Sequence, residues 1–138
     1  MKINIFAFCD FAADYGEKIC ITGASHKISV RGLPARVSGT IVGKIMLERD
    51  DAGEHLLDVT ISDADGKVVC QSPRQQIEGR DFMELPQECE MYSCCLIHRV
   101  QFQIEKYGEY VLEMREKGRV LTSTALFVGR FDSKPEIY

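Results

Sequence analysis

The cysteines and histidines are the side chains of this sequence best suited to metal binding or nucleophilic catalysis. They are densest at Cys89, Cys94, Cys95 and His98. A tetrahedral zinc site usually takes two closely spaced pairs of ligands, and the second pair is missing here. On a strand, Cys94 and His98 would share one face while Cys95 points to the other, which favours a plain strand with a buried cysteine. We therefore predict no metal and no cofactor.

A catalytic nucleophile has equally little support. The sequence contains no Gly-x-Ser-x-Gly pattern, and the adjacent Ser25 and His26 would point to opposite faces of a strand. A catalytic pair of a cysteine with His26, His55 or His98 can be proposed. However, a chain with six cysteines and three histidines is expected to offer such combinations by chance. We predict no catalytic residue and no enzyme; the alternative is a small enzyme of the hydrolase type that uses a Cys/His pair.

The elements that would hold these residues are strands, because apolar and polar residues alternate with a period of two along most of the chain. Residues 37–47 show this alternation most clearly, with apolar or small residues at the odd positions. About nine strands are predicted, at residues 2–9, 17–23, 26–31, 37–49, 54–63, 67–78, 94–105, 109–116 and 119–128. Many short strands without a long helix predict an all-β fold, and specifically an antiparallel β-sandwich, with a barrel as the alternative.

Turn residues separate these strands at short intervals. Residues 50–53, 63–66 and 117–118 each contain a glycine and are expected to form tight hairpins. A single helical turn is expected at residues 10–16, ended by Gly16, and at most one more within residues 79–93, which contain Pro86. Neither turn changes the fold class.

A Gly-x-Tyr pattern enters the penultimate strand at Gly108 and Tyr110. This pattern is typical of a tyrosine corner, in which the hydroxyl binds nearby backbone. We therefore assign Gly108 and Tyr110 structural roles and predict an immunoglobulin-like architecture in general terms. Leu112 stands where an antibody domain would have its second cysteine, and the sequence has no tryptophan, so a true immunoglobulin domain is not expected.

Length and charge narrow the function classes. A chain of 138 residues suits one domain, here residues 1–129 followed by a C-terminal tail at 130–138. Its net charge is −4. The acidic balance and the lack of a basic run disfavour nucleic acid and anionic membranes as partners. The start of the sequence lacks the features of a secretory signal, so we expect a cytoplasmic protein with six reduced thiols.

Binding is the function class that these observations leave. If successive loops alternate between two ends, the turns near 24–26, 50–53, 79–93 and 117–118 share one end, and long loops on rigid scaffolds often carry function. The candidate interaction residues in the longest loop combine charge with adaptable or aromatic surface: Arg80, Asp81, Phe82, Met83 and Tyr92. The alternative is a loop that only covers the core.

Self-association is a further expectation. Residues 3–8 and 120–128 carry neither charge nor proline, the devices that usually protect a sheet edge from pairing with another chain. If either segment lies at an edge, a homodimer that pairs these edges is predicted. The two segments could instead pair with each other inside one subunit.

The opening Ala7-Phe8-Cys9-Asp10-Phe11-Ala12, followed by residues 16–23, resembles the start of an uncharacterised family of small bacterial proteins. The later Asp-Gly hairpin and Gly-x-Tyr strand occur in similar order, so the resemblance covers residues 5–129. It implies a compact β-sandwich of unknown function and transfers no catalytic residue. The function we expect is a non-enzymatic binding or assembly module in a bacterial cytoplasm, with a protein or small ligand as its partner.

Overall fold

The computed structural model describes residues 1–16, 18–79 and 91–131, and in these residues the chain is all-β, as predicted. The strands are β1 (Lys2–Cys9), β2 (Phe11–Asp14), β3 (Ile19–Thr22), β4 (Lys27–Val30), β5 (Ala35–Glu48), β6 (Gly53–Asp63), β7 (Val68–Gln71), β8 (Gln75–Gly79), β9 (Met91–Ile104), β10 (Gly108–Glu116) and β11 (Arg119–Arg130). The helical content of the described residues is one 3-10 turn at Arg49–Asp51. None of their helical segments has the length and apolarity needed to span a membrane.

The strands form two sheets and a separate hairpin. The small sheet has the order β1-β5-β9 and is antiparallel throughout. The large sheet has the order β4-β11-β10-β6-β7, with β8 also paired to β6, and its β4–β11 pair is parallel. Strands β2 and β3 form the covering hairpin, which packs on the outer face of the small sheet.

One apolar core lies between the two sheets. Alternate residues of β5 and β9 face alternate residues of β6, β10 and β11, which is the arrangement that the period of two predicts. The core residues with no exposed surface include Ile41, Ile45, Leu47, Leu57, Val59, Leu96, Ile104, Leu112 and Met114. A smaller cluster of Cys9, Ala12 and Val42 lies under the covering hairpin.

The predicted helical turn at residues 10–16 is wrong. Residues 11–14 are extended as β2, and the chain turns back at Gly16, whose φ is +77°, to pair with β3. A four-residue strand is too short for its periodicity to distinguish it from a helical turn, and pairing across the turn decides the conformation.

The predicted hairpin at residues 50–53 is also wrong, because β5 and β6 belong to different sheets. The 3-10 turn and Gly53, at φ +112°, carry the chain from one sheet to the other. The other two hairpins are confirmed. Gly66 has φ +83°, and Lys117 and Gly118 both have positive φ values, +50° and +79°, as a tight two-residue hairpin turn requires.

Two further expectations are corrected by the pairing. The single strand predicted at residues 67–78 is two strands, β7 and β8, because Pro73 lies between them and lacks the N–H that a ladder needs. The predicted tail begins too early, since β11 continues to Arg130 and the Phe131 N–H donates to the Val30 carbonyl at 2.6 Å. Residues 132–138 lie outside the described residues.

The loops are grouped differently from the prediction. Residues 50–53 and 117–118 do share one end, where Glu116 pairs with Leu57. Gly79 and Met91 also lie at this end, opposite Gly53 and Glu48. Residues 24–26 lie at the other end, because they lead into β4, which pairs with the C-terminal part of β11.

Both segments that the sequence analysis singled out for self-association lie at sheet edges. Among the described strands, β1 pairs only with β5, and it carries a bulge between Ile3 and Ile5. On its side away from β10, β11 pairs with β4 only over residues 127–130. The two edges contact each other across the core, and residues 24–26 bridge one end through the Ser25 N–H to the Phe8 carbonyl.

Tyr110 holds the connection between β9 and β10. Its side chain is buried, and its hydroxyl donates to the Lys106 carbonyl at 2.8 Å, the hydrogen bond that the Gly-x-Tyr pattern predicts. Gly108 begins β10 at φ +113°, a conformation that side chains rarely adopt.

We expect Tyr110→Phe to lower the free energy of unfolding by about 0.5–1.5 kcal/mol, because it removes one hydrogen bond and leaves the Lys106 carbonyl without its partner. Urea denaturation measures this change. Tyr107→Phe is the matched control, since Tyr107 is 46% exposed. Equal stability of both variants would contradict the assigned role.

Candidate functional site

Four of the five predicted interaction residues, Arg80, Asp81, Phe82 and Met83, lie outside the described residues. The fifth, Tyr92, is half-buried on β9, and its hydroxyl donates to the Glu78 carbonyl at 2.9 Å. It lines a depression of about 490 Å³ together with Cys94 and residues 75–78. Tyr92 therefore ties β9 of the small sheet to β8 of the large sheet.

Cys94 and His98, from the cysteine- and histidine-rich segment, contact different groups and not each other. The His98 Nε2 lies 2.8 Å from the Gln75 Oε1, and the Cys94 Sγ faces the Ile45 carbonyl at 3.9 Å. Burial raises the pKa of the Cys94 thiol to about 11, which disfavours the reactive thiolate. Within the described ranges, no group of three His, Cys, Asp or Glu side chains converges as metal ligands.

The five described cysteines are free thiols, and Cys89 lies outside the described residues. Burial also raises the pKa values of the Cys9 and Cys70 thiols. Such buried thiols behave as small apolar side chains.

A polar groove of about 470 Å³ lies on the outer face of the small sheet, beside the covering hairpin. We call it the Arg99 groove. Its lining residues come from three separated segments of the chain and are Asp10, Phe11, Ser38, Gly39, Thr40, Arg99, Val100 and Gln101. Strands β5 and β9 form the floor, and the first residues of the hairpin form the wall.

The wall of the Arg99 groove is fixed by backbone contacts. The Asp10 N–H donates to the Thr22 carbonyl at 3.0 Å, and the Thr40 hydroxyl donates to the Asp10 carbonyl at 3.3 Å. Gly23, at φ +69°, lies so close that a Cβ there would be 2.1 Å from the Asp10 Oδ2. The Asp10 carboxylate thus lies against the Gly23 backbone, while the Asp10 backbone is bonded to Thr22 and Thr40.

The floor presents charge and hydrogen-bonding groups to solvent. Arg99 lies directly opposite Thr40 in the β5–β9 ladder and is exposed, as are Ser38 and Gln101. In the described part of the chain, neither Arg99 nor Asp10 forms an ion pair. Phe11 adds an aromatic ring that is 44% exposed. The groove can therefore offer a cation, an anion, several neutral donors and an apolar surface to one ligand.

A second polar cluster closes the core at the end that carries the 3-10 turn. The His55 Nδ1 lies 2.6 Å from the Glu116 Oε1, and its Nε2 lies 2.7 Å from the Asp51 carbonyl. An ionised carboxylate and a carbonyl can only accept, so the doubly protonated imidazolium fits both contacts. The hydrogen bond to the Asp51 carbonyl, followed by the Glu116 carboxylate, raises the pKa of His55 although burial opposes this.

Asp51 joins this cluster to the start of β1. Its Oδ2 lies 2.6 Å from the Met1 amino group and accepts from the Glu48 N–H at 2.9 Å. Burial alone would raise the pKa of the Asp51 carboxyl, but these hydrogen bonds and the neighbouring positive charges lower it overall. The cluster thus joins β1, β5, β6 and β10 through charged groups.

Comparison with protein families adds one finding. The model of a family of unknown function (DUF6941) matches residues 4–129. The chain belongs to the DUF6941 family. This confirms the resemblance to an uncharacterised family that the opening residues indicate. No curated protein matches the chain.

The DUF6941 match spans every residue of the Arg99 groove, including residues that the sequence analysis did not single out. Asp10, which belongs to the opening residues that carry the resemblance, begins its wall. The sequence does show that the floor residues are the polar members of the alternating pattern. They are Ser38 and Thr40 on β5 and Arg99 and Gln101 on β9. The pattern assigned these residues to a solvent-facing side, and only the ladder register shows that they are neighbours.

Proposed function

We propose that this DUF6941 protein is a non-enzymatic binding or assembly module and that the Arg99 groove is its ligand site. The observation that carries the proposal is that one groove holds two exposed charged side chains, Arg99 and Asp10, neither of which forms an ion pair with another described residue. The exposed Phe11 lines the same groove. Exposed charges beside an aromatic surface are common at recognition sites, because each gains a specific partner on binding.

The scaffold supports this role because the floor belongs to β5 and β9, two 14-residue strands that pair with each other along their whole length. Residues on paired strands are held more precisely than residues on loops, so a ligand meets preorganised groups. The raised pKa values of the described buried thiols favour a structural role for them over a nucleophilic one.

The proposal includes an arrangement of the strands that is more specific than the all-β class. We infer a largely antiparallel β-sandwich with immunoglobulin-like general architecture, supported by the shared core of the two sheets and the Tyr110 hydrogen bond.

A bacterial cytoplasm is the proposed location, supported by the free thiols of the described cysteines. The partner is a protein or small ligand, not nucleic acid or membrane. A second copy is a further candidate, because β1 pairs on one side only within the described part of the chain.

Selection from a displayed random-peptide library tests whether the groove binds. We expect peptides selected on the full chain to bind it in solution and to lose about tenfold in affinity with Arg99→Gln or Asp10→Asn, since each change removes a charge-assisted hydrogen bond. Fluorescence polarisation of labelled peptides measures the affinities.

Arg119→Gln is the control for the positive charge lost in Arg99→Gln, because Arg119 is exposed on the large sheet. If no peptide is enriched, or if the enriched peptides bind the Arg99→Gln and Asp10→Asn variants as well as the parent, the proposed site is wrong.

A further inference from the structure

The floor of the Arg99 groove continues into a longer row of polar side chains. Opposite residues of an antiparallel pair share a face, so the register that places Thr40 against Arg99 also places Ser38 against Gln101 and Arg36 against Gln103. Arg36 and Gln103 are both exposed. We call the six residues Arg36, Ser38, Thr40, Arg99, Gln101 and Gln103 the polar row.

The two arginines stand at opposite ends of the polar row. Arg36 lies four residues before Thr40, the partner of Arg99. At about 3.4 Å per residue and about 5 Å between paired strands, the two arginine positions are roughly 14 Å apart. Between them the exposed Ser38 and Gln101 present a hydroxyl and an amide, which can donate or accept hydrogen bonds.

The charge of the polar row opposes that of the chain. The protein carries a net charge of −4, whereas the row contains two arginines and no carboxylate. In the described residues Arg36, like Arg99, forms no ion pair. Asp10 is the carboxylate beside the row, in the wall next to Arg99.

We propose that the polar row binds an extended acidic peptide segment whose carboxylates are four residues apart. In an extended chain, residues i and i+4 point to the same side and are about 13 Å apart, which matches the separation of Arg36 and Arg99. Arginine binds carboxylates through two parallel hydrogen bonds, and residue i+2 lies over Ser38 and Gln101. This inference rests on the proposed function and specifies its ligand class.

A peptide fits these contacts better than a nucleic acid. A single nucleic-acid strand carries a phosphate at every nucleotide and is bound by continuous basic grooves with stacking aromatic side chains. The polar row has positive charge only at its two ends, and amides and hydroxyls between them suit a peptide backbone.

Fluorescence polarisation with two labelled, threonine-rich peptides of identical composition tests the spacing. One peptide carries glutamates at positions i and i+4, and the other at i and i+3, which would point to opposite faces. We expect the first peptide to bind the full chain about tenfold more tightly than the second. Arg36→Gln and Arg99→Gln should each remove most of this difference, whereas Arg119→Gln should keep it.

Equal binding of the two peptides would overturn the inference, as would tighter binding of a labelled oligothymidylate than of either peptide. The library selection separates this failure from failure of the proposed function. Selected ligands that depend on Arg99 and Asp10 but lack paired carboxylates would leave the binding site standing and refute the acidic-peptide class.

Discussion

The substitution Gly39→Ala is expected to lower the free energy of unfolding by about 1–3 kcal/mol. A Cβ built at Gly39 would lie 2.2 Å from the Cζ of Phe8. The Phe8 ring is buried and packs edge to face on Phe102, with ring centroids 6.1 Å apart, so it can move aside only by disturbing that contact. Urea denaturation, with the midpoint and slope fitted separately, measures the loss.

Gly43→Ala is the matched control for Gly39→Ala. Gly43 lies on the same strand, and its added Cβ would be 3.0 Å from the Cε of Met114, the movable end of a long side chain. We therefore expect a smaller loss at Gly43. The double variant Gly39→Ala with Phe8→Leu should lose less than the sum of its single changes, because the smaller side chain relieves the overlap. Equal losses at the two glycines would contradict this account.

The second large effect concerns pH and the cluster around His55. Because the folded-state pKa of His55 is raised, its contribution to stability is fully present below its unfolded pKa of about 6.5 and is lost as pH rises through the folded value. The lowered pKa of Asp51 acts in the other direction and loses its contribution as acid protonates the carboxylate. The difference in free energy of unfolding between the protein and a variant without His55 should therefore be largest in mildly acidic solution.

Unfolding in urea at a series of pH values from about 5 to 9 tests this expectation. His55→Gln should be less stable than the parent by about 1.5–3 kcal/mol at the acidic end, because hydrogen bonds of a charged group are lost, and the difference should shrink as pH rises. Burial lowers the pKa of His98, so its contribution to stability rises with pH, opposite to that of His55. Both the parent and His55→Gln contain His98, so this contribution cancels in their difference. His26→Gln controls for an exposed histidine, and a constant difference for His55→Gln across the series would refute the mechanism.

Local patterns predicted the strands well but could not assign them to sheets. The turn residues at 50–53 suit a hairpin and a crossing between sheets equally well, since both need a glycine with positive φ. What separates the two outcomes is that β5 pairs with β1 and β9, which are distant in the sequence. The 63–66 and 117–118 turns were predicted correctly because strand pairing there is local.

The candidate site was hard to predict for the same reason. Arg99 and Ser38 each appear in the sequence as one polar residue on a half-buried strand, and Asp10 appears in what resembles a helical turn. Their proximity depends on the β5–β9 register and on the covering hairpin, neither of which has a local signal. The interaction loop was predicted from its length, its expected end of the fold and its composition, and most of it lies outside the described residues.

The long separation between the partners of β5 also affects how the chain is made. Strand β5 ends at Glu48, but the strand that completes its second edge, β9, ends at Ile104. At about 5–20 residues per second, a ribosome takes several seconds to synthesise the intervening chain. During that interval a strand of 14 residues with one apolar face has at most one of its two edges paired, so the nascent chain is expected to be prone to aggregation until β9 emerges.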